Sequence, residues 1–145
     1  MPETPQYQII PGAEYAKEVT GLKRRFPRVE GDVKKFLDKE LAVHPKECGD
    51  RIPGALGAWK ARCGIPSANI GKSGGLRIIY ALVEVPALIG LIMIYYKGDK
   101  DDVPRAELRR AFEAMRPALE EGVKAKGGDP RLVQEHIQKL LGQKS

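Results

Sequence analysis

The sequence predicts an α+β protein. Its centre is a small four-stranded, mainly antiparallel sheet, packed by two N-terminal helices and a C-terminal helix, with an extra C-terminal helix beyond them. Three observations carry this expectation. Apolar residues recur with a helical period at both ends of the chain and with strand character in the middle. The middle strands follow one another through short turns, which implies antiparallel pairing. The order β-α-α-β-β-β-α-α fits the length of 145 residues as one domain, 1–121, with a helical extension over 122–145.

Each element has its own signal. Tyr7 to Ile10 is a short apolar run ended by Pro11 and Gly12, and reads as a first strand. Tyr15, Val19, Leu22 and Phe26 form one face of a helix stopped at Pro27. Val29, Val33, Phe36, Leu37 and Leu41 continue that period on a second helix, to about Val43. His44 to Gly57 is rich in Pro and Gly and reads as a loop. Ala58 to Cys63 alternates apolar with basic residues, as a strand with one basic face would. Gly64 to Gly75 is loop, Leu76 to Val85 a strand, Pro86 and Ala87 a turn. Leu88 to Tyr96 is a nearly all-apolar strand buried on both faces, and nothing in the sequence accounts for Gly90 within it. Lys97 to Val103 is a charged loop. Pro104 opens a helix with Leu108, Phe112, Met115 and Leu119 on one face, with Pro117 as a possible kink and Gly127-Gly128 as its end. Asp129-Pro130 caps a last helix, whose Val133, Ile137, Leu140 and Leu141 must bury against the sheet, a second copy or a partner.

Composition narrows function. Hydrophobic content of 42% and charged content of 30% exclude wholesale disorder. The net charge of +6 is concentrated: Arg51, Lys60, Arg62, Lys72 and Arg77 lie between Asp50 and Glu84 without one acid among them. A concentrated basic segment suits a polyanionic partner, although a solvated basic surface has the same composition. Cys48 and Cys63, with fourteen residues between them, match neither a zinc pattern nor a disulfide framework, and suit a reducing compartment. The start has no signal-peptide layout, and the longest uncharged apolar run, Val85 to Tyr96, is too short to span a bilayer. The expectation is a cytoplasmic protein that does not use a membrane, a metal or a cofactor.

Gly71-Lys72-Ser73 is not a Walker A loop: Pro66 stands where the first glycine is needed, and a strand rather than a helix follows. The wider string carries more. Its Gly-rich turn would let backbone amides approach a phosphate. Arg77 lies inside a strand, on the face opposite Leu76, Ile78 and Tyr80, and Lys60 and Arg62 share one face of the preceding strand. Pairing of the two strands would bring three cations to one concave sheet face, where a guanidinium grips phosphate oxygens. The structural alternative pairs Arg77 with Glu84 or another acid. Crowding by Arg62 and Arg77 would push a lysine, Lys60 or Lys97, below the roughly 10.4 of a free lysine, toward general-base use. His44 and His136 lie outside the motif and read as surface or structural residues, and Tyr80 reads as core. Lys23, Arg24, Arg25 and Arg28 cluster at the helix junction, either extending an RNA-docking surface or as a solvated helix end.

Trp59-Lys60-Ala61-Arg62, the turn Gly71-Lys72-Ser73-Gly74-Gly75, then Leu76-Arg77-Ile78-Ile79-Tyr80, and Tyr95-Tyr96-Lys97 before an acidic stretch and a helix resemble the RelE/HigB toxins of the RelE/ParE superfamily. The resemblance is strong over the middle third of the chain. The two N-terminal helices agree in layout only, and the chain from about Gly122 exceeds the usual toxin length. The resemblance implies a RelE-like domain over 1–121 and a toxin that cuts mRNA in the ribosomal A site without metal, stopping translation and growth. It implies a cognate antitoxin, of helix-turn-helix type in HigB pairs. It places catalytic roles on Lys60, Arg62, Arg77 and Lys97. Lys72, Ser73 and Gly74 on the turn, with Lys23, Arg24 and Arg25, would bind RNA or phosphate. Gly98 and about Val103 stand where well-studied members carry an Arg and a Tyr. Two other classes remain open: a ParE-like gyrase inhibitor and a degenerate toxin that only binds a partner.

Overall fold

The computed structural model describes residues 6–53, 58–100, 102–133 and 135. Strands β1 (Gln8–Pro11), β2 (Gly49–Arg51), β3 (Ala58–Cys63), β4 (Leu76–Val83) and β5 (Leu88–Tyr96) form one sheet in the order β1-β5-β4-β3-β2. Helices α1 (Ala13–Leu22) and α2 (Val29–Phe36) cover one face, and α3 (Arg105–Ala125) covers part of the other. The expected sheet of four strands is therefore corrected to five, and it is mixed. β1 runs parallel to β5, while all other pairs are antiparallel. The added strand, β2, is Gly-Asp-Arg, a three-residue edge piece held by its ladder with Ala61, Lys60 and Trp59 of β3. None of its residues has strong strand preference, so the partner rather than the segment makes it a strand.

Two apolar layers result from the pleat. Leu76, Ile78, Tyr80 and Leu82 of β4 pack toward Tyr15, Leu22, Val29, Val33 and Phe36 of the N-terminal helices. Ile79 and Ala81 point the other way, toward Leu108, Phe112, Met115 and Leu119 of α3. β5 serves both layers. A register irregularity opposite Ile79 and Tyr80 puts Ile92 and Met93 in succession on the α3 side. Gly90 gains its reason here: a Cβ on it would stand 2.5 Å from Met115 Sδ, so the missing side chain lets α3 lie close on the sheet.

The second helix is shorter than its apolar period suggests. α2 ends at Phe36 and Leu37–Leu41 forms a single π-helical turn. That turn keeps Leu41 fully buried while the chain swings toward β2. α3 runs on past Pro117, which sits on its exposed face, and passes through 121 and 122 to Ala125. Residues 131–133 are helical again, Asp129 Oδ1 accepts the Arg131 N–H at 2.9 Å, and Val133 is buried in the α3 layer. His136, Ile137, Leu140 and Leu141 lie outside the described residues.

Candidate functional site

α3 covers β5 and the upper part of β4, and leaves the other end of that sheet face open. An open concavity of about 1130 Å³ lies there. Alternation along β3 points Lys60 and Arg62 at it while Trp59, Ala61 and Cys63 enter the opposite layer. The antiparallel ladder sets Arg62 opposite Arg77, which also lines the space. Lys72, from the Gly-rich turn, and Lys97, just after β5, complete a group of five cations around one space. The turn and Lys97 are tied together, since the Lys97 N–H donates to the Gly75 carbonyl at 2.9 Å. Gly75 itself is closely enclosed: a Cβ there would meet the Cys63 carbonyl, the Gly71 carbonyl at 2.9 Å and Gly64 Cα at 3.1 Å.

Arg77 is the buried charge of the site, with 6% of its surface exposed. It does not pair with Glu84, whose carboxylate meets Lys46 instead. Its Nη1 donates to the carbonyls of Lys72 at 3.1 Å and Leu76 at 3.3 Å, and its Nη2 to Ser73 at 2.9 Å. The turn was expected to present amides to a phosphate. Its Lys72 and Ser73 carbonyls instead face inward and clasp the guanidinium. A guanidinium has five N–H donors, so this clasp leaves donors over for a ligand. Burial, and then the neighbouring charge of Arg62, push the Arg77 pKa down from its ordinary value. Both causes mark a positive charge short of compensation, the condition an arriving anion relieves.

Two other cations have carboxylate partners. Lys72 Nζ donates to Glu40 Oε1 at 2.7 Å, a bond that raises the Lys72 pKa. Lys60 Nζ stands 3.5 Å from Asp102 Oδ1. Ser73 and Gly74 are exposed on the turn and do not line the concavity.

The helix-junction cluster is elsewhere. Lys23 pairs with Glu30 at 3.1 Å. Arg25 meets both oxygens of Asp99 at 2.6 and 2.8 Å and lies over the rings of Phe26 and Tyr96. Arg25 thus clasps the helix junction to the end of β5. Lys23, Arg24 and Arg25 do not line the concavity.

Sequence reasoning missed several lining residues. His44, read as a surface or structural residue, lies on the wall, as do Arg51 and Arg105. Among the described residues, seven basic and four acidic side chains line the space, a surplus of three positive charges. Arg105 Nη2 reaches the Pro53 carbonyl at 3.1 Å, which joins the start of α3 to the segment after β2. No periodicity signals these three, because they enter from a loop, an edge strand and a helix start. Among the described residues, no cluster of three or more His, Cys, Asp or Glu side chains is placed to hold a metal ion. Burial first, then nearby acids, push the Cys63 thiol up to about 12, so it is not a thiolate nucleophile. No helix among the described residues is long and apolar enough to cross a membrane.

No family model matches the sequence. The fold is similar to that of a chain in the crystal structure of the toxin–antitoxin complex RelBE2 from Mycobacterium tuberculosis, with a TM-score of 0.53. The match covers 65% of this chain and 94% of that chain, at 16% sequence identity.

Proposed function

We propose that this protein is the toxin of a toxin–antitoxin pair and a ribosome-dependent mRNA endoribonuclease of RelE/HigB type, acting in the cytoplasm and neutralised by a cognate antitoxin of helix-turn-helix type. The observation that carries the reading is the gathering of Lys60, Arg62, Lys72, Arg77 and Lys97 around one open concavity on a RelE-like sheet. Attack of a 2′-OH on the adjacent phosphodiester adds negative charge at phosphorus. Fixed cations in a partly desolvated site stabilise that charge without reorganising. Arg77, clasped by the turn, is the best held of the five, and Arg62 faces it across the ladder. The ion pair of Lys72 raises its pKa and so favours ammonium, which suits charge stabilisation better than a general-base role, and Lys60 is engaged by Asp102. Lys97 stands at the open rim, where it can protonate the leaving 5′-oxygen.

The test is induced expression with mapping of mRNA ends, followed by purified protein on programmed ribosomes. Growth arrest with cuts inside translated codons is the expected result. Intact A-site mRNA would sink the nuclease reading. One observation favours a second reading, a ParE-like gyrase inhibitor: among the described residues no Phe, Tyr or Trp lines the concavity, which leaves base stacking to His44 and the arginines alone. A supercoiling assay with gyrase separates the two.

A further inference from the structure

We infer that His44 is the general base of the cleavage step, held in orientation by Glu47; this rests on the nuclease reading above. The reaction needs a group that removes the 2′-OH proton, and the concavity limits the choice. Guanidinium groups keep their protons at any physiological pH. Lys60 and Lys72 sit in ion pairs with Asp102 and Glu40, and those pairs also occupy two of the four carboxylates that line the space, the others being Asp50 on β2 and Glu47 beside His44. His44 puts an imidazole on the same wall. Imidazole is the side chain whose ordinary titration falls between about pH 5 and 8.

Its placement is built rather than incidental. The His44 N–H donates to the Glu40 carbonyl at 2.8 Å, and the His44 carbonyl accepts the N–H groups of Glu47 and Cys48, both at 3.1 Å. The next residue is anchored from the core, since the buried Tyr80 hydroxyl donates to the Pro45 carbonyl at 2.5 Å. Glu47 Oε1 lies 3.6 Å from His44 Nδ1, close enough to bias the orientation of the ring. That arrangement leaves Nε2 as the working nitrogen. The His44 side chain is 52% exposed, so RNA can reach it. The charged groups that share the wall with it include Glu40 and Glu47 on its own segment, Lys72 on the Gly-rich turn, Asp50 of β2 and Asp102 before α3, and of these Glu47 is in contact with its ring. The Cys48 thiol is there too, and burial raises its pKa.

In the step, His44 Nε2 takes the 2′-OH proton and the 2′-oxygen forms its bond to phosphorus. The bond from phosphorus to the 5′-oxygen breaks with its electron pair on oxygen, which takes a proton from an ammonium, that of Lys97. The products are a 2′,3′-cyclic phosphate and a 5′-hydroxyl. Solvent then restores both protonation states.

The experiment measures single-turnover cleavage on programmed ribosomes between pH 5 and 8.5 for the full chain, His44→Gln and Glu47→Gln. Binding is measured in parallel with an mRNA carrying a 2′-deoxy residue at the cut site. The wild-type rate is expected to rise with pH and level off. His44→Gln should be slower by about 10²- to 10⁴-fold, without that rise and with binding unchanged. Glu47→Gln should slow cleavage while leaving binding to the 2′-deoxy mRNA unchanged, because the ring loses the carboxylate that orients it. If His44→Gln keeps the wild-type rate or pH profile, or loses rate and binding in parallel, the assignment is overturned while the nuclease reading stands. If the wild-type protein does not cut, both are overturned.

Discussion

Replacing Arg77 by alanine separates its two jobs, clasping a turn and stabilising a phosphate. The structural job is three hydrogen bonds to backbone carbonyls, at 2.9, 3.1 and 3.3 Å. Hydrogen bonds from a charged donor contribute about 1.5–3 kcal/mol each when nothing replaces them. Lys72 and Ser73 lie on an exposed turn, so water can replace the donor at two of the three. The substitution also removes a buried charge that faces Arg62 across the ladder without a carboxylate partner among the described residues. These effects oppose one another, and the expected net loss of stability is about 1 kcal/mol. The chemical job is larger. A preorganised donor aimed at developing negative charge is worth about 10²- to 10³-fold in rate, or roughly 3–4 kcal/mol. Arg77→Ala should therefore keep most of its stability in urea denaturation and lose at least about 100-fold in single-turnover cleavage on ribosomes. Arg77→Lys keeps the charge but not the forked clasp, and should fall between. An alanine variant that unfolds readily, or one that is stable and cuts at the wild-type rate, would refute this division of roles.

Gly75→Ala forces a Cβ against three backbone atoms of β3 and the turn, and should cost about 1–3 kcal/mol. Because the displaced turn also holds Arg77 and Lys97, its cleavage rate should fall further than its denaturation midpoint suggests. Tyr80→Phe leaves the Pro45 carbonyl without its donor, at a cost of about 1–3 kcal/mol in chemical denaturation; an unchanged midpoint would show that the bond does not matter. Glu18 carries a pH dependence of stability. Burial is the main cause that pushes its carboxyl up to about 8. The folded value lies above the unfolded one, so folding favours the protonated acid. Its contribution is complete below the unfolded value of about 4.5 and is lost as pH rises toward 8. Glu18→Gln keeps an acceptor for the Ile94 N–H, bound at 2.8 Å in the wild type. Thermal melts should show the wild-type protein losing stability relative to this variant between pH 5 and 8; parallel curves would refute the reasoning.

The sequence by itself determined which side chains share a face wherever a short, regular period decides it. Strand pleating has a period of two, so the alternation of β3 and β4 already sent Lys60, Arg62 and Arg77 one way and Trp59, Ile78 and Tyr80 the other. The helical period likewise marked Leu108, Phe112, Met115 and Leu119 as one buried stripe. Tertiary structure decided everything that depends on partners far apart in sequence. β2 is a strand because β3 offers it a ladder, and β1 is an edge strand because β5, far later in the chain, lies parallel beside it. Gly90 makes sense only beneath Met115. The direction of the Gly-rich turn, carbonyls toward Arg77, follows from a buried guanidinium that needs acceptors. His44, Arg51 and Arg105 reach the concavity from three unrelated segments. Periodicity reports the geometry of one element at a time, whereas a site is the meeting of several, and that meeting is settled by the packing of the sheet against its two layers.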